Sequence, residues 1–432
     1  MGRGLGMKVL VVGSGGREHA LCWKLRQSPE LKELYCAPGN PGIGEVADLV
    51  PVAADEVQKL ADFASDLKID LTVVGPELPL TLGIADDFAV RKLALFGPRK
   101  QAAELEGSKV FAKEFMQRHD IPTAPFAVVH DAVEARRAVR EFGLPVVLKA
   151  DGLAAGKGVL IPGDKEELKG AIRIFFEERR FGKSGERLVV ETCLEGEEVS
   201  FIALSDGERL LPLASSRDYK RIGEGDEGPN TGGMGAHSPA GVLSAEQAAE
   251  ILQRVLRPTI AGMAAENRHF VGVLYAGLMM TDEGPKVLEF NVRLGDPEAQ
   301  PLLLRLEDDL LPVLASGAAG RFDTQRLQFR KEAAACVVLA SRGYPGEPVK
   351  GEAITGLTAG RQHEGVEVFH AGTALRDGQL VSSAGRVLNV CATGADLRDA
   401  LKRAYGAAAE IDWPNKVLRR DIGRRVLTQI EA

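Results

Sequence analysis

The chain has 432 residues, 45% of them hydrophobic and 27% charged, which is the composition of an ordinary globular protein of two to four domains. Its net charge of −7 argues against a general nucleic-acid or membrane-surface binder. Five scattered cysteines without a C-x-x-C pair exclude a disulfide framework, and no apolar run reaches the length of a membrane span. We therefore expect a cytoplasmic protein with neither nucleic acid nor membrane among its partners.

The first hundred residues predict a doubly wound α/β domain. Short apolar strands at 8–12, 33–37 and 70–75 alternate with helical patterns, which is the rhythm of βαβ units. Ligands of such sheets bind where the strands end, and each of these strands is followed by a turn rich in glycine or proline. We assign residues 7–108 to this domain, and residues 1–6 to a flexible extension.

The turn after the first strand contains Gly15, Gly16 and Arg17 and matches part of a dinucleotide-binding pattern. Glu18 stands where a third glycine is required, and the second strand ends without the carboxylate that would bind a cofactor ribose. A phosphorylated small molecule at this helix N-terminus, with Arg17 as an added partner, fits better than a nicotinamide cofactor. A tight turn without a ligand is the alternative.

A second α/β region begins at Ser108, a candidate N-cap for a helix over 109–118. Residues 149–159, KADGLAAGKGV, join two predicted strands through a glycine-rich loop whose N–H groups and lysines suit phosphate oxygens. The loop is one residue short of a Walker A motif, and Gly158 replaces the hydroxyl residue of that motif. We predict a hairpin that covers a nucleotide, with a plain glycine hairpin as the alternative.

Two polar segments follow the hairpin. Glu191 ends a strand, and together with Leu194 and Glu198 it could hold an adenine amine and a ribose diol, although solvated acidic residues are the default for such a pattern. The 25 residues from 215 to 239 are polar, contain six glycines and show no periodicity. Their charges, including Asp218 and Lys220, could recognise a small zwitterion; a disordered connector is the alternative.

Residues 286–298, KVLEFNVRLGDPE, predict a strand with a chemical face. Glu289, Asn291 and Arg293 would share that face, and the apolar residues between them, Leu288, Phe290 and Val292, would point the other way. A carboxylate and a carboxamide oxygen suit Mg²⁺ beside phosphates, and Arg293 could hold a transferring phosphoryl group or a carboxylate. A solvent-facing polar surface is the alternative. From about residue 328 the pattern predicts a small α+β domain.

Together these segments are similar to the ATP-grasp superfamily and closely resemble its phosphoribosylamine–glycine ligase family. The resemblance is carried by VVGSGGREHAL, APGNPG, LEGSKVFAKEFM, KADGLAAGKGV, GPNTGGMGA and EFN-R-GDPE, which run from residue 8 to about 298, and it continues in HAGT at 370–373 and SAGRVL at 383–388. It implies an ATP-grasp core over 109–327 with a mobile lid at about 123–195, followed by an α+β domain over 328–432.

The resemblance also implies roles for individual residues. ATP would be bound at Lys109, Lys149, Gly152, Gly156, Lys157, Gly158, Glu191, Leu194 and Glu198. Mg²⁺, or Mn²⁺ in its place, would be held by Glu289 and Asn291. The phosphoribosylamine would lie at Gly15, Gly16, Arg17, Glu77, Gly232 and Gly233. Arg293, Asp218 and Lys220 would act near glycine and its acyl phosphate. The strand before Glu289 reads GLMM, where many ATP-grasp enzymes place another metal carboxylate, so a second metal has no assigned ligand.

The activity that the resemblance implies is the ATP-dependent ligation of glycine to 5-phospho-β-D-ribosylamine through glycyl phosphate. The products would be glycinamide ribonucleotide, ADP and phosphate, a step of purine (IMP) synthesis. We expect a monomer, with at most transient contact with the enzyme of the preceding step. The alternatives are another ATP-grasp ligase or carboxylase, a dinucleotide-binding oxidoreductase, and a nucleotide sensor without catalysis.

Overall fold

The computed structural model describes residues 6–153, 158–241 and 243–431. Apart from Gly6, the predicted N-terminal extension lies outside these residues. No helix in the described part of the chain is both long and apolar enough to cross a membrane.

The N-terminal region is a parallel five-stranded sheet with helices on both faces, which confirms the predicted doubly wound α/β fold. Its elements are β1 (Met7–Gly13), α1 (Gly16–Leu25), β2 (Leu31–Pro38), β3 (Asp48–Leu49), α2 (Val57–Asp66), β4 (Leu71–Val74), α3 (Glu77–Leu82), α4 (Ile84–Val90), β5 (Leu95–Phe96) and α5 (Lys100–Gly107). The strand order is β3-β2-β1-β4-β5. Leu10 and Val12 pack into one core cluster and Val9 and Val11 into another, because the central strand β1 is covered on both faces.

The middle of the chain forms two antiparallel sheets, of order β6-β9-β7-β8 and β11-β10-β14-β15. Its elements are α6 (Lys109–Arg118), β6 (Phe126–Val129), α7 (Ala132–Phe142), β7 (Val146–Ala150), β8 (Val159–Leu160), α8 (Lys165–Ile172), β9 (Leu188–Thr192), β10 (Glu197–Asp206), β11 (Leu210–Pro212), β12 (Arg217–Asp218), β13 (Gly235–Ser238), α9 (Ala245–Ile251), α10 (Arg257–Ala265), β14 (Val271–Thr281), β15 (Gly284–Asn291), α11 (Ala299–Arg305) and α12 (Leu310–Ala318). Ser108 Oγ accepts a hydrogen bond from the Phe111 amide at 3.0 Å, so the predicted N-cap of α6 is confirmed.

The C-terminal region contains β16 (Ala333–Ala340), α13 (Leu357–Arg361), β17 (Val366–His370), β18 (Thr373–Arg376), β19 (Gln379–Ser382), β20 (Arg386–Gly394), α14 (Leu397–Glu410) and α15 (Arg424–Glu431). Its main sheet has the order β12-β13-β16-β20-β17 and therefore includes two short strands from the polar stretch 215–239. The prediction that this stretch lacks regular structure is wrong at β12 and β13. β13 pairs with β16, and β12 pairs with β13, an arrangement between distant segments that local periodicity does not reveal.

The strand β15 also departs from its predicted pattern, because a β-bulge interrupts it at Leu288. Gly277 of β14 pairs with Glu289, but the next residue of β14 pairs with Val287. Val287 therefore packs with Phe290 in the core, and Leu288 lies beside the cleft described below. The prediction that Leu288 points the same way as Phe290 is wrong, since a bulge shifts the alternation by one residue.

Candidate active site

The glycine-rich hairpin joins β7 to β8, as predicted, with Ala150 N donating to Gly158 O at 2.8 Å. Lys109, the first residue of α6, donates from Nζ to Gly152 O at 3.0 Å, which places its ammonium group at the base of the hairpin. Gly152 has a φ of +108°, a conformation that favours glycine. The other two predicted hairpin residues, Gly156 and Lys157, lie outside the described residues.

Two buried lysines hold the Glu191 carboxylate at the end of β9. Lys149 forms an ion pair with it and also donates to Leu288 O at 2.8 Å, which connects β7 to β15. Lys113 pairs with the other carboxylate oxygen, and burial lowers the pKa of Lys113 to about 8. Sequence reasoning missed Lys113, although its position four residues after Lys109 on α6 was a signal. The Glu191 carboxylate is therefore engaged by two ammonium groups.

Glu289 and Asn291 lie at the end of β15, and Glu289 has both Lys149 and Lys220 nearby. Burial by itself would raise the pKa of Glu289, but the nearby charges, Lys220 first and then Lys149, hold it below its usual value. Asn291 Oδ1 accepts a hydrogen bond from Arg293 Nη2 at 3.0 Å, and its Nδ2 is buried without a partner among the described residues. Asn291 and Arg293 are therefore in direct contact, and the Arg293 charge also acts on Glu289.

This donor set, a carboxylate and a carboxamide oxygen, is of the hard-oxygen type that a magnesium ion beside phosphates accepts. Mg²⁺ is commonly bound by one or two protein oxygens, with phosphates and water completing the octahedron. Gly277 stands opposite Glu289 in the sheet, so β14 places no side chain there. Within the described ranges no group of three or more His, Cys, Asp or Glu residues is arranged to hold a metal by itself.

Arg293 connects the N-terminal domain to this centre. It lies just beyond β15, and its guanidinium is 3.2 Å from Glu77 Oε2, at the start of α3, and 2.8 Å from Glu106 Oε1, on α5. Burial raises the pKa of Glu106 to about 7, although the Arg293 charge opposes that rise. Sequence reasoning did not single out Glu106. The arrangement holds Arg293 between two carboxylates of the predicted substrate-binding domain.

A cleft lined in part by Gly277, which stands opposite Glu289 in the sheet, lies next to that carboxylate, and we call it the acceptor cleft. Its polar lining consists of Glu198, Ser200, Asp218, Lys220 and Tyr275. Lys220 Nζ is 3.6 Å from Glu198 Oε2 and 3.8 Å from Glu289 Oε1, so the ammonium group lies between two carboxylates. The predicted residues Asp218, Lys220, Glu198 and Glu289 are thus brought together.

Asp218 is the least satisfied group of the acceptor cleft. Its Oδ1 is buried and has no hydrogen-bond partner in the described part of the chain. Burial, and then the nearby Glu298 charge, raise the pKa of Asp218. Glu298, which sequence reasoning did not assign, is buried and accepts hydrogen bonds from Tyr275 OH at 2.9 Å and Ser200 Oγ at 3.2 Å. Two neighbouring buried carboxylates of this kind favour a positively charged ligand.

The N-terminal turns are held together by Glu18. Its Oε2 accepts from the Gly15 amide at 2.5 Å, and its Oε1 accepts from Arg17 Nε at 2.6 Å. Arg17 also donates to Leu294 O at 3.0 Å. A Cβ on Gly16 would lie 1.9 Å from Asn389 Nδ2, so the start of α1 and β20 approach closely only because residue 16 is glycine.

The second glycine-rich segment, GPNTGGMGA at 228–236, is connected to the Arg293 region through Arg386 of the C-terminal domain. Arg386 donates to Gly232 O at 2.6 Å and to Asp296 Oδ2 at 3.1 Å. Gly233 has a φ of +110°, and a Cβ there would lie 2.7 Å from Asp218 Oδ1. Arg386 therefore connects the segment 228–236 to the segment that follows Arg293.

Lys149 joins the two antiparallel sheets, because its ammonium group donates to Leu288 O and lies near the Glu289 carboxylate. This arrangement is that of an enzyme of the ATP-grasp class. Family models for the N domain, the ATP-grasp (A) domain and the C domain of phosphoribosylglycinamide synthetase match residues 7–106, 107–299 and 334–425. The chain belongs to this phosphoribosylglycinamide synthetase family.

Individual relatives agree with that assignment. The phosphoribosylamine–glycine ligase of Mesorhizobium japonicum is 49% identical over 426 residues, which cover 99% of this chain and 100% of that protein. The crystal structure of the Thermotoga maritima phosphoribosylamine–glycine ligase has 35% identity and a TM-score of 0.83, covering 96% of this chain and 99% of that one. The biotin carboxylase domain of a Hydrogenobacter thermophilus 2-oxoglutarate carboxylase, at 18% identity and a TM-score of 0.71, covers 96% of this chain and 92% of that one and shows a shared fold alone. The carboxylase alternative gains no support from it.

Proposed function

We propose that the chain catalyses the ATP-dependent ligation of glycine to 5-phospho-β-D-ribosylamine through glycyl phosphate. Family membership supports this reaction. The main support is that the proposed ATP, metal and glycine residues form one connected site. The lysines beside the hairpin, the Glu289–Asn291 pair, Arg293 and the acceptor cleft follow one another through direct contacts.

The nucleotide lies on the lysine side of the site. Lys109 and Lys149 offset the charge of the phosphates, and the hairpin, which includes Gly152 and Gly158, covers them with backbone N–H groups. Leu194, just beyond β9, and Glu198, in β10 where the nucleotide side borders the acceptor cleft, are the proposed contacts for adenosine. The Glu191 carboxylate acts indirectly, because its ion pairs with Lys113 and Lys149 fix the position of the Lys149 ammonium.

Glu289 and Asn291 would hold Mg²⁺, which when bound neutralises charge on the transferring phosphoryl group. Side chains of the protein supply the other interactions with the phosphoryl group. Arg293 presents its guanidinium toward the same group, and Glu77 and Glu106 keep that guanidinium in place. The transfer then needs no rearrangement of the charged side chains as the reaction proceeds.

Glycine binds in the acceptor cleft with its ammonium group toward Asp218 and Glu298. A cation there would satisfy Asp218 Oδ1, which is buried without a partner in the described ranges. Lys220 lies between Glu198 and Glu289, where its charge attracts the glycine carboxylate toward the phosphoryl donor. The zwitterion is thereby oriented by opposite charges at its two ends.

The proposed chemistry has two balanced steps. A carboxylate oxygen of glycine attacks the γ-phosphorus of ATP, the bond from that phosphorus to the bridging oxygen breaks, and ADP leaves. The amine of phosphoribosylamine then attacks the carbonyl carbon of glycyl phosphate, the carbon–oxygen bond to phosphate breaks, and the amine loses a proton. The phosphoribosyl group would lie against Gly15, Gly16, Arg17 and Glu77, with Gly232 and Gly233 on the opposite side. The hairpin excludes water that would hydrolyse the acyl phosphate.

We further propose that the enzyme works as a cytoplasmic monomer on small-molecule substrates alone, in transient contact at most with the enzyme that supplies its unstable amine. Such an amine would benefit from a short transfer distance. Sedimentation of the purified protein at micromolar concentration tests the monomer directly.

The deciding experiment measures ADP release with Mg²⁺ and ATP, with and without glycine, and with phosphoribosylamine formed in situ from ribose 5-phosphate and ammonia. Detection of the glycinamide ribonucleotide mass in the complete mixture, and in none of the incomplete mixtures, would support the ligase. ADP release indifferent to both substrates would refute it, and ATP binding without turnover would indicate a nucleotide sensor. Arg293→Lys should lower kcat by about a hundredfold or more, because a lysine ammonium cannot reproduce the guanidinium contacts with Glu77 and Glu106. Arg140→Lys, on the exposed face of α7, is the matched control.

A further inference from the structure

The extended segment that begins in the short strand β12 and continues to Lys220 places two residues of the acceptor cleft on one side and a tyrosine on the other. Asp218 and Lys220 line the cleft, whereas Tyr219 points away and packs against Ala333 and Leu401 of the C-terminal domain. Successive residues of an extended chain face opposite sides, so the position of Tyr219 sets the direction of its two neighbours. Among the described residues, backbone hydrogen bonds hold this segment on one edge only: the Tyr219 amide donates to Gly235 O at 3.0 Å, and Lys220 O accepts from the Thr231 amide at 2.7 Å.

The far C-terminal segment adds side-chain contacts to this backbone pairing. Arg419 is almost completely buried, with 1% of its surface exposed, and its guanidinium lies 5.2 Å from the centre of the Tyr219 ring. It donates to Arg221 O at 3.1 Å and to Asp226 Oδ1 at 2.7 Å, so it reaches both ends of the turn that follows β12. Asp421 accepts two further hydrogen bonds from the same guanidinium, at 2.8 and 2.7 Å.

Backbone contacts reinforce this arrangement. The Gly423 amide donates to Tyr219 OH at 2.9 Å, and the Gly225 amide donates to Asp421 Oδ2 at 2.9 Å. A planar guanidinium with several fixed donors holds such a geometry better than a lysine could. The segment 419–423 therefore contacts the loop from behind without entering the cleft.

We propose that Arg419 is a positioning residue for glycine, the proposed ligand of the acceptor cleft. It holds Tyr219 and the turn 221–226 so that Asp218 and Lys220 face the cleft. The inference rests on the proposed role of that cleft in binding glycine. It assigns the C-terminal domain a share in the site that does not depend on contact with any substrate. Loss of Arg419 should loosen the glycine end of the site and leave the ATP end unchanged.

The test compares Arg419→Met and Arg419→Lys with the unaltered enzyme. Arg419→Met should raise the KM for glycine by about ten- to a hundredfold, while the KM for ATP changes by less than about twofold, because a displaced positioning group affects only the substrate it orients. ADP formed per ligated product should also rise. Arg419→Lys should restore part of the glycine affinity. Arg403→Met, which removes an ion pair with Asp399 elsewhere in the same domain, is the control and should change neither KM.

Asp226→Asn provides a milder variant if Arg419→Met does not fold, since Asp226 is exposed and is only one of the Arg419 partners. It should shift the KM for glycine in the same direction by a smaller factor. An unchanged KM for glycine in a folded variant would overturn the inference, as would an equal rise in both KM values.

Hydrogen exchange separates this inference from the proposed function. The amides of residues 217–226 should exchange faster in Arg419→Met than in Arg403→Met, with no substrate present. Faster exchange in an enzyme that makes no glycinamide ribonucleotide would leave the structural role of Arg419 standing and overturn the proposed function. Unchanged exchange together with normal ligation would refute the role of Arg419 alone.

Discussion

Replacing Glu106 with Gln isolates the electrostatic cost of a carboxylate that the fold buries beside Arg293. Glu106 accepts a hydrogen bond from the Val292 amide at 2.7 Å and lies 2.8 Å from Arg293 Nη2. Burial raises its pKa from 4.5 to about 7, even though Arg293 opposes the shift. Gln has nearly the same shape and can still accept from Val292, but it does not titrate.

The sign and size of the effect follow from the two pKa values. Between pH 4.5 and about 7 the folded protein holds a proton that the unfolded chain has released, so stability falls as the pH rises through this range. At about 1.4 kcal/mol per pKa unit, the cost is about 1 kcal/mol at about pH 5.5 and about 3 kcal/mol at about pH 8. Glu106→Gln should therefore gain about 2 kcal/mol of stability relative to the unaltered protein between these two pH values.

The assay is urea unfolding followed by tryptophan fluorescence, with both proteins measured at each pH. Every other titrating group is common to the two proteins, so the pH dependence of their difference reports Glu106. Glu104→Gln, exposed on the same helix, controls for the change of residue type. A stability difference that does not change with pH would refute the argument. The same variant should lose activity, because Arg293 keeps only Glu77 as a carboxylate partner, a trade of function against stability.

Three further predictions concern other contacts. Lys113→Met leaves the Glu191 carboxylate with one ammonium partner and should raise the KM for ATP by about tenfold, or about 1.4 kcal/mol; an unchanged KM in steady-state kinetics would remove Lys113 from the site. Burial lowers the pKa of His370 from 6.5 to about 4, so unfolding takes up a proton below pH 6.5. Stability should then fall by about 2 kcal/mol toward about pH 5, and His370→Gln should lessen that fall in urea titrations. A Cβ in Gly75→Ala would lie 1.9 Å from Glu18 Oε1, so the KM for phosphoribosylamine should rise while that for ATP stays constant. An unchanged KM for phosphoribosylamine in steady-state kinetics would contradict this prediction.

Local chemistry made a large part of the fold predictable. The buried strands of the first domain appear as short apolar runs, and Ser108 marks the start of α6 because its hydroxyl can accept from the first turn. The hairpin over Gly152 and Gly158 follows from glycine density between two strands. Glu289, Asn291 and Arg293 were recognisable as one chemical face because neighbours two residues apart share a side of an extended chain.

The partners of these residues were not predictable in the same way. The bulge at Leu288 depends on how β14 and β15 align, and the alternation rule gives no warning of it. Lys113 and Glu106 both lie in the segment LEGSKVFAKEFM, but each gains its role from a group far along the chain. Hydrogen bonds and ion pairs between distant segments leave no periodic trace in the sequence.

By itself the sequence determined the α/β class of the first domain, the glycine hairpin and the polar face of β15, since these depend on backbone freedom and on the spacing of neighbouring residues. Only the tertiary structure decided which carboxylate each cation meets. It is also the tertiary structure that buries Glu106 and Asp218, and that brings Arg419 against Tyr219. Burial and long-range pairing set the charge state of a group, and both exist only once the chain has folded.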